Sequence, residues 1–464
     1  MPTPPRFARL ALAPLLGTLA CASGASDNKQ PVDSGSQDSG AGGEGPTPTW
    51  YQDVAPLVIV RCTGCHTDGS IAFNLNDPEI AVALSSTIAA ATAERRMPPW
   101  HANPVADCSP TRPWADDTRL SQDEIDLIQD WHAAGAPLGD PESAVEAEAP
   151  IAASLDRVDL ELIPVAPYTT SAAADEFICF TLDVGNTEEL LVTGMEVVPD
   201  NRAIAHHTLI FLDPEAESET LAGPDGYYPC SGGSMTEAGG ELLGTWIPGA
   251  PPTLAPAGAA TRIPAGARLV MQMHYHPGGE AGLLDQTRLH LKTTDESGLL
   301  RFQQVLMGNA HNEASGLLPG PNDRGEPEFR IPAGVADHVE EMAYQLDNGL
   351  PTLPITRIGA HMHHVGTEML IWIEREGEDA ECLLANPEWD FNWQRAYSYD
   401  VPIAEAPTAQ GGDTVRLRCT YNNTLDHQGT RDALAESGLD EPVDIGLGEG
   451  SLDEMCIAVI GIVY

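Results

Sequence analysis

Apolar and polar positions fall into four successive patterns along the chain. A short apolar segment, Leu10 to Ala20, follows Arg6 and Arg9, and residues 1–21 read as an export signal to be left out of fold reasoning. Residues 22–47 are mostly Ser, Gly, Asp and Pro, bury no core, and predict a flexible tether. Helical patterning follows, over Trp50 to Val60, over Pro78 to Arg95, and in a helix running through Ala134 that Ser121-Gln122-Asp123-Glu124 caps. From Val158 onward, short β-prone runs alternate with Gly, Pro, Asn and Asp, which predicts sandwiches or jelly rolls rather than βαβ units. The polar stretch Thr293 to Ser297 divides this region in two. The expected organisation is a small all-α domain over 48–141, followed by two all-β jelly-roll sandwich domains over 150–295 and 296–464.

Length and charge narrow the class. At 464 residues the chain has room for about three domains. Its 69 acids against 23 bases leave a formal net charge of −46, which excludes nucleic acid and anionic membrane surfaces as partners because both demand a positive face. No apolar run approaches the roughly 20 residues needed to span a bilayer. Leu19-Ala20-Cys21 resembles the end of a bacterial lipoprotein cleavage site, with Cys21 as the lipidated residue. The expected location is therefore periplasmic or cell-envelope, with membrane attachment only through that anchor.

Cys62-Thr63-Gly64-Cys65-His66 is the attachment signature for a c-type haem, in which Cys62 and Cys65 bond the haem covalently and His66 supplies an axial ligand. Together with the flanking helices it resembles a small cytochrome c-like domain. For the sixth ligand Met97 is the choice, in the Pro-stiffened loop Arg96-Met97-Pro98-Pro99-Trp100, with His101 as competitor. Six cysteines remain outside the leader and this motif: Cys108, Cys179, Cys230, Cys382, Cys419 and Cys456. Export makes disulfides their default.

Histidines cluster further on. His361 and His363 lie within Gly359 to Gly366, between β-prone runs. On a strand, residues two apart share a face, so these two imidazoles can hold a late first-row metal together. Ala205-His206-His207-Thr208 and Met273-His274-Tyr275-His276 offer a three-imidazole site from His206, His207 and His274. Adjacent residues on a regular strand face opposite ways, so His206 and His207 can share a metal only if the strand bends or the two rings use different nitrogens.

Residues from about 160 to the end resemble the copper type II, ascorbate-dependent monooxygenases, the family of peptidylglycine α-hydroxylating monooxygenase and dopamine β-monooxygenase. The motifs occur in the family's order: His206-His207, then Gln272-Met273-His274-Tyr275, then His361-Met362-His363-His364-Val365-Gly366, then Asp453-Glu454-Met455-Cys456. Trp246 to Pro252 and Ile263 to Gly266 resemble the connection preceding the third histidine. The resemblance implies two copper ions facing each other across a solvent-filled cleft. His206, His207 and His274 would bind the electron-transfer copper. His361, His363 and Met455 would bind the copper that activates dioxygen, where a C–H bond of a small-molecule substrate is hydroxylated. It also implies disulfides Cys179–Cys230 and Cys419–Cys456, and leaves the pairing of Cys108 and Cys382 open. His276, His338 and His364 have no ligand role in that scheme. Gly359 and Ile457 stand where the peptide-amidating branch holds a peptide carboxylate, which argues against a glycine-extended peptide as substrate.

The expected protein is thus an exported copper monooxygenase with two coppers, one haem c, O2 as co-substrate and an external electron donor, the haem feeding the His206/His207/His274 copper. The alternative is an extracytoplasmic copper-binding or electron-transfer protein without oxygenase activity.

Overall fold

Strands dominate the architecture, at 34% of the chain against 17% helix. The computed structural model describes residues 47–68, 70, 72–147, 154–171, 175–230, 236, 240–277, 279–309, 316–448, 450 and 452–464. The leader, Cys21 and all of the predicted tether except Thr47 lie outside the described residues. Residues Thr47–Tyr464 form one compact unit.

The largest sheet has ten strands. Its main path runs Leu160–Leu162, Arg288–Thr294, Leu190–Val198, Ala259–Ile263, Leu300–Asn309, Cys456–Val463, Leu353–His361 and Ala396–Ser398, with two short strands paired alongside. Five strands form a second sheet, in the order Tyr227–Pro229, Glu176–Asp183, Arg268–Tyr275, Ala205–Asp213 and Glu241–Trp246. A third, of four, joins His338–Gln345, Thr414–Tyr421, Gly366–Glu374 and Glu381–Asn386. Ile178, Phe180 and Leu182 of the second sheet meet Val192, Ile263, Leu289 and Leu291 of the first in one buried core. Met369, Ile371 and Leu417 of the third meet Ile355, Ile358, Ala458 and Ile460 in another. Arg268–Tyr275 and Cys456–Val463 are buried nearly throughout, as expected of strands covered on both faces.

One expectation on fold class needs correction. The all-β region has one core in each half, and the ten-stranded sheet joins the halves where Leu300 and Arg301 pair in parallel with Ala259 and Ala260. Among the described residues there is no all-α cytochrome-like domain. The predicted helices are present, at Ala55–Arg61, Pro78–Ala83, Ser85–Ala93 and Gln122–Ala133, the last with a full Ser121/Glu124 capping box. They gather around Trp50, Val58, Ile128 and Trp131. The loop between them leaves that cluster: Trp100 and Ala102 are buried in the core built on the four-stranded sheet, and Trp114 stacks on Tyr399 at 4.8 Å. The β core takes in both tryptophans, burying Trp100 and half-burying Trp114.

Disulfides join Cys179 to Cys230, Cys419 to Cys456, and Cys108 to Cys382. The third spans 274 residues and clamps the Trp100–Trp114 loop onto the β region. Replacing Cys108 and Cys382 together by alanine is expected to lower unfolding stability by about 4 kcal/mol, read as the shift of the denaturant midpoint. The three bridges are consistent with an oxidising, extracytoplasmic compartment. Among the described residues no helix is long and apolar enough to cross a membrane.

Candidate functional site

The strand Ala205–Asp213 pairs with Arg268–Tyr275, and the register slips by one at the site. His274 faces His207, Tyr275 faces Ala205, and His206 is left as the extra residue of a β-bulge. A bulge re-aims a side chain, and here it resolves the objection that neighbouring strand residues point apart. The Nδ1 atoms of His206 and His274 each lie 3.2 Å from Nδ1 of His207.

The outer nitrogens decide what these inner atoms offer. Nε2 of His274 lies 2.8 Å from the Asp175 carboxylate, and Nε2 of His206 lies 3.2 Å from the Asn392 amide oxygen. Both partners are acceptors, so each Nε2 carries a proton, and in the neutral tautomer of each ring the lone pair turns inward. A proton on His207 Nδ1 can serve fully only one of these two lone pairs, whereas a cation bound among the three rings would satisfy all of them. Among the described residues, these three histidines are also the one group of three or more His, Cys, Asp or Glu ligand atoms close enough to share a metal ion. The donor set is all imidazole, suited to copper or zinc.

Burial favours the neutral form of His206 and His207. It lowers His206 to about 4, with the neighbouring His274 and His276 adding to the effect, and pushes His207 well below its ordinary value. Protons therefore compete with a metal only well into the acid range. In the metal-free chain the unfolded state binds the extra proton between pH 6.5 and about 4, so stability present at neutral pH is lost as pH falls through that window. Metal retained on dialysis at pH 7 and pH 5 but released near pH 4 is the expected result.

The second cluster is assembled differently from the expectation. The strand ends at His361, and His363 lies in the connection to Gly366–Glu374, not on the strand itself. The two rings remain neighbours, with centroids 5.3 Å apart and nearly perpendicular. His361 Nδ1 meets the Gln394 side-chain oxygen at 2.8 Å, and His363 Nδ1 meets the Asp453 carbonyl at 3.0 Å. Both Nδ1 atoms thus donate, which leaves Nε2 of each ring as the lone pair. Burial lowers His363 to about 3 and also depresses His361.

Glu454 organises this turn. Its carboxyl is fully buried and accepts from the backbone N–H of His363 (2.8 Å), Val365 (2.9 Å) and Met455 (3.1 Å). Burial pushes its pKa up to about 8 against the pull of those donors. Met455 is buried, its carbonyl accepts from Tyr421 Oη at 2.9 Å, and the next residue forms the Cys419–Cys456 bridge. One side chain therefore fixes the backbone of His363 and Met455 together.

The two clusters are linked by one segment, residues 389–394. Trp389 Nε1 donates to the His363 carbonyl at 3.0 Å, Asn392 holds His206, and Gln394 holds His361. The Phe391 ring lies 6.5 Å from His207, 6.2 Å from His363 and 4.1 Å from His364. The clusters thus face a shared aromatic ring, where the resemblance implied a solvent-filled cleft. Of the unassigned histidines, His276 meets Asp175 at 2.7 Å, while His338 is buried against Glu340 and Asn322.

Cys62 and Cys65 are unpaired thiols, both with pKa raised by burial. His66 donates from Nδ1 to the Phe73 carbonyl at 3.2 Å, which leaves Nε2 as a ligand atom. These residues fit covalent haem attachment with one axial nitrogen. Met97 lines a pocket with Thr92, Arg95, Arg119 and Leu120, and His66 is not among its walls. His101 donates its backbone N–H to Tyr397 at 3.2 Å.

Asp175, Phe391, Asn392 and Gln394 carry no signal in the sequence, since nothing in their spacing ties them to the histidines. Glu454 is adjacent to Met455, and nothing in the sequence marks it as the acceptor for this turn.

No family model matches the chain, and no curated protein matches it. Solved structures it resembles include the N-terminal CBM22-1-CBM22-2 tandem domain of Paenibacillus barcinonensis Xyn10C, at 10% identity and TM-score 0.15 over 61% of this chain and 82% of that one. Another is infectious bursal disease virus, Gt strain, at 10% identity and TM-score 0.16 over 66% and 80%. Likenesses this slight bear on neither fold nor function.

Proposed function

We propose that this chain is an exported copper-dependent monooxygenase that hydroxylates a C–H bond of a small organic substrate with O2. Two electrons and two protons from outside reduce the second oxygen atom to water. The observation that carries the reading is the convergence of the His206, His207 and His274 Nδ1 atoms, joined through residues 389–394 to the His361/His363 pair.

In this reading His206, His207 and His274 hold one copper, and His361, His363 and Met455 hold the other. Bound copper supplies one-electron redox chemistry and activation of dioxygen. The chain's own residues set the conditions for it. Asp175 and Asn392 hold the first set of rings with lone pairs inward, while Gln394 and the Asp453 carbonyl do so for the second. The Phe391 ring lies within 6.5 Å of both sets and presents an apolar surface to each. A haem c attached at Cys62 and Cys65, with His66 as axial ligand, is the proposed entry point for electrons from an external donor. Periplasmic or cell-envelope placement, anchored through Cys21, completes the proposal.

The test is metal analysis of the exported, full-length protein together with oxygen uptake in the presence of a reductant. Two coppers and one haem per chain are expected, with one copper lost in His207→Ala and oxygen uptake abolished in Met455→Ala. Copper binding with no oxygen uptake and no hydroxylated product across a substrate panel would leave the electron-transfer protein as the better reading.

A further inference from the structure

Gln394 also lines a cavity of about 40 Å³ whose walls include Ile247, Pro251, Asp116, Arg357 and Arg395. We propose that this cavity binds a carboxylate, with Arg357 and Arg395 as the recognising groups.

The charge inventory makes the pair unusual. Acids outnumber bases 69 to 23, so each cation has three acids to choose from, and most of the arginines form ion pairs. Among the described residues, neither Arg357 nor Arg395 does. Arg357 spends one donor, Nε, on the Ser398 hydroxyl at 3.0 Å. Arg395 donates one N–H to the Asp116 backbone carbonyl at 3.3 Å, and its face lies over the Trp100 and Tyr397 rings at 4.9 and 5.6 Å. The aromatic contacts hold the guanidinium plane in place and leave N–H edges free for a bidentate anion.

The two guanidiniums repel each other. Arg357 has its pKa lowered to about 10, by burial first and by Arg395 second, while Asp116 offsets this only from an exposed position. Two partly buried cations side by side in so acidic a protein are relieved by an anion between them. The apolar wall of Ile247, Ala250, Pro251 and Pro252 suits the carbon skeleton of an organic acid better than a hydrated inorganic ion.

The position has a consequence for the histidines. Arg357, Gly359 and His361 share one face of their strand, and Gly359 puts no side chain between the other two. Gln394 lines the cavity and holds His361. On the other side, Ile247 and Ala250 flank Pro248 and Gly249, where Cys65 Sγ lies 3.6 Å from the Pro248 carbonyl. The carboxylate thus has two possible sources: a small free acid, or a propionate arm of the haem attached at Cys62 and Cys65. The second source rests on the haem reading above.

Acetate is the probe, titrated against chloride at constant ionic strength into the full-length protein and into a Cys62→Ala/Cys65→Ala variant. Saturable acetate binding in both, weakened about tenfold or more by Arg395→Gln or Arg357→Gln and unchanged by Arg119→Gln, assigns the cavity to a free acid. Binding only in the cysteine variant, with the haem midpoint potential of the otherwise intact protein displaced by Arg395→Gln, assigns it to the haem propionate. No acetate binding in either form, together with a haem potential indifferent to both arginines, overturns the proposal. Neither readout needs bound copper or turnover, so failure of the monooxygenase reading would be told apart from failure of this one. Arg357→Lys, which keeps the charge but not the fork, separates lost recognition from lost folding.

Discussion

Glu454→Ala is expected to lower the stability of the metal-free chain by roughly 3–5 kcal/mol and to abolish metal binding at the His361/His363 cluster. The carboxyl is fully buried and serves three backbone N–H groups, those of His363, Val365 and Met455. Removing it leaves three donors in an apolar turn without acceptors, at about 1–3 kcal/mol each before the turn relaxes. Because the same carboxyl spans His363 and Met455, relaxation of the turn separates the proposed ligands. Glu454→Gln should cost less, since one oxygen survives, yet its amide would face an N–H donor and still disturb the turn. Denaturant unfolding and copper content of the two variants, measured beside wild type, test this. A loss below 1 kcal/mol for Glu454→Ala would sink the idea that this side chain organises the site.

The second large effect is expected from the segment that touches both clusters. Gln394→Ala removes the acceptor that fixes the His361 tautomer, and Asn392→Ala removes the one that fixes His206. Loss of such a partner typically weakens metal binding about 10- to 100-fold. Each substitution should act mainly on its own cluster, so competition with a chelator should release the proposed copper of that cluster early, and a different one in each variant. Spectra of the cupric protein can tell an all-imidazole site from one with a thioether. If each variant weakened both sites equally, the segment would be acting as a single clip that holds the two clusters together.

Several features of the site were legible residue by residue. His361 and His363 are neighbours, and His206, His207 and His274 converge, because both sets sit at the ends of strongly β-patterned runs. The S-x-x-E signal at Ser121 marks a real helix start, since a cap is satisfied within four residues. The bulge at His206 could only be posed as a condition, because a one-residue slip against Arg268–Tyr275 depends on the pairing of two strands some 60 residues apart. The expected all-α domain does not form for a similar reason. Helical periodicity shows that a segment is helical, but not which core will bury the tryptophans in the loops between its helices.

By itself the sequence determined the β-rich class of residues beyond 158, the helix positions before it, the six cysteines available for bridges and the histidines available as ligands. Those properties follow from residue type and from periods of two to four residues. The tertiary structure decided that one ten-stranded sheet runs through both β halves and that Cys108 meets Cys382 across 274 residues. It also decided that Asn392 reaches back 186 residues to hold His206. Such contacts arise from strand order and register, which the whole chain sets through burial of its cores, and no local pattern encodes them.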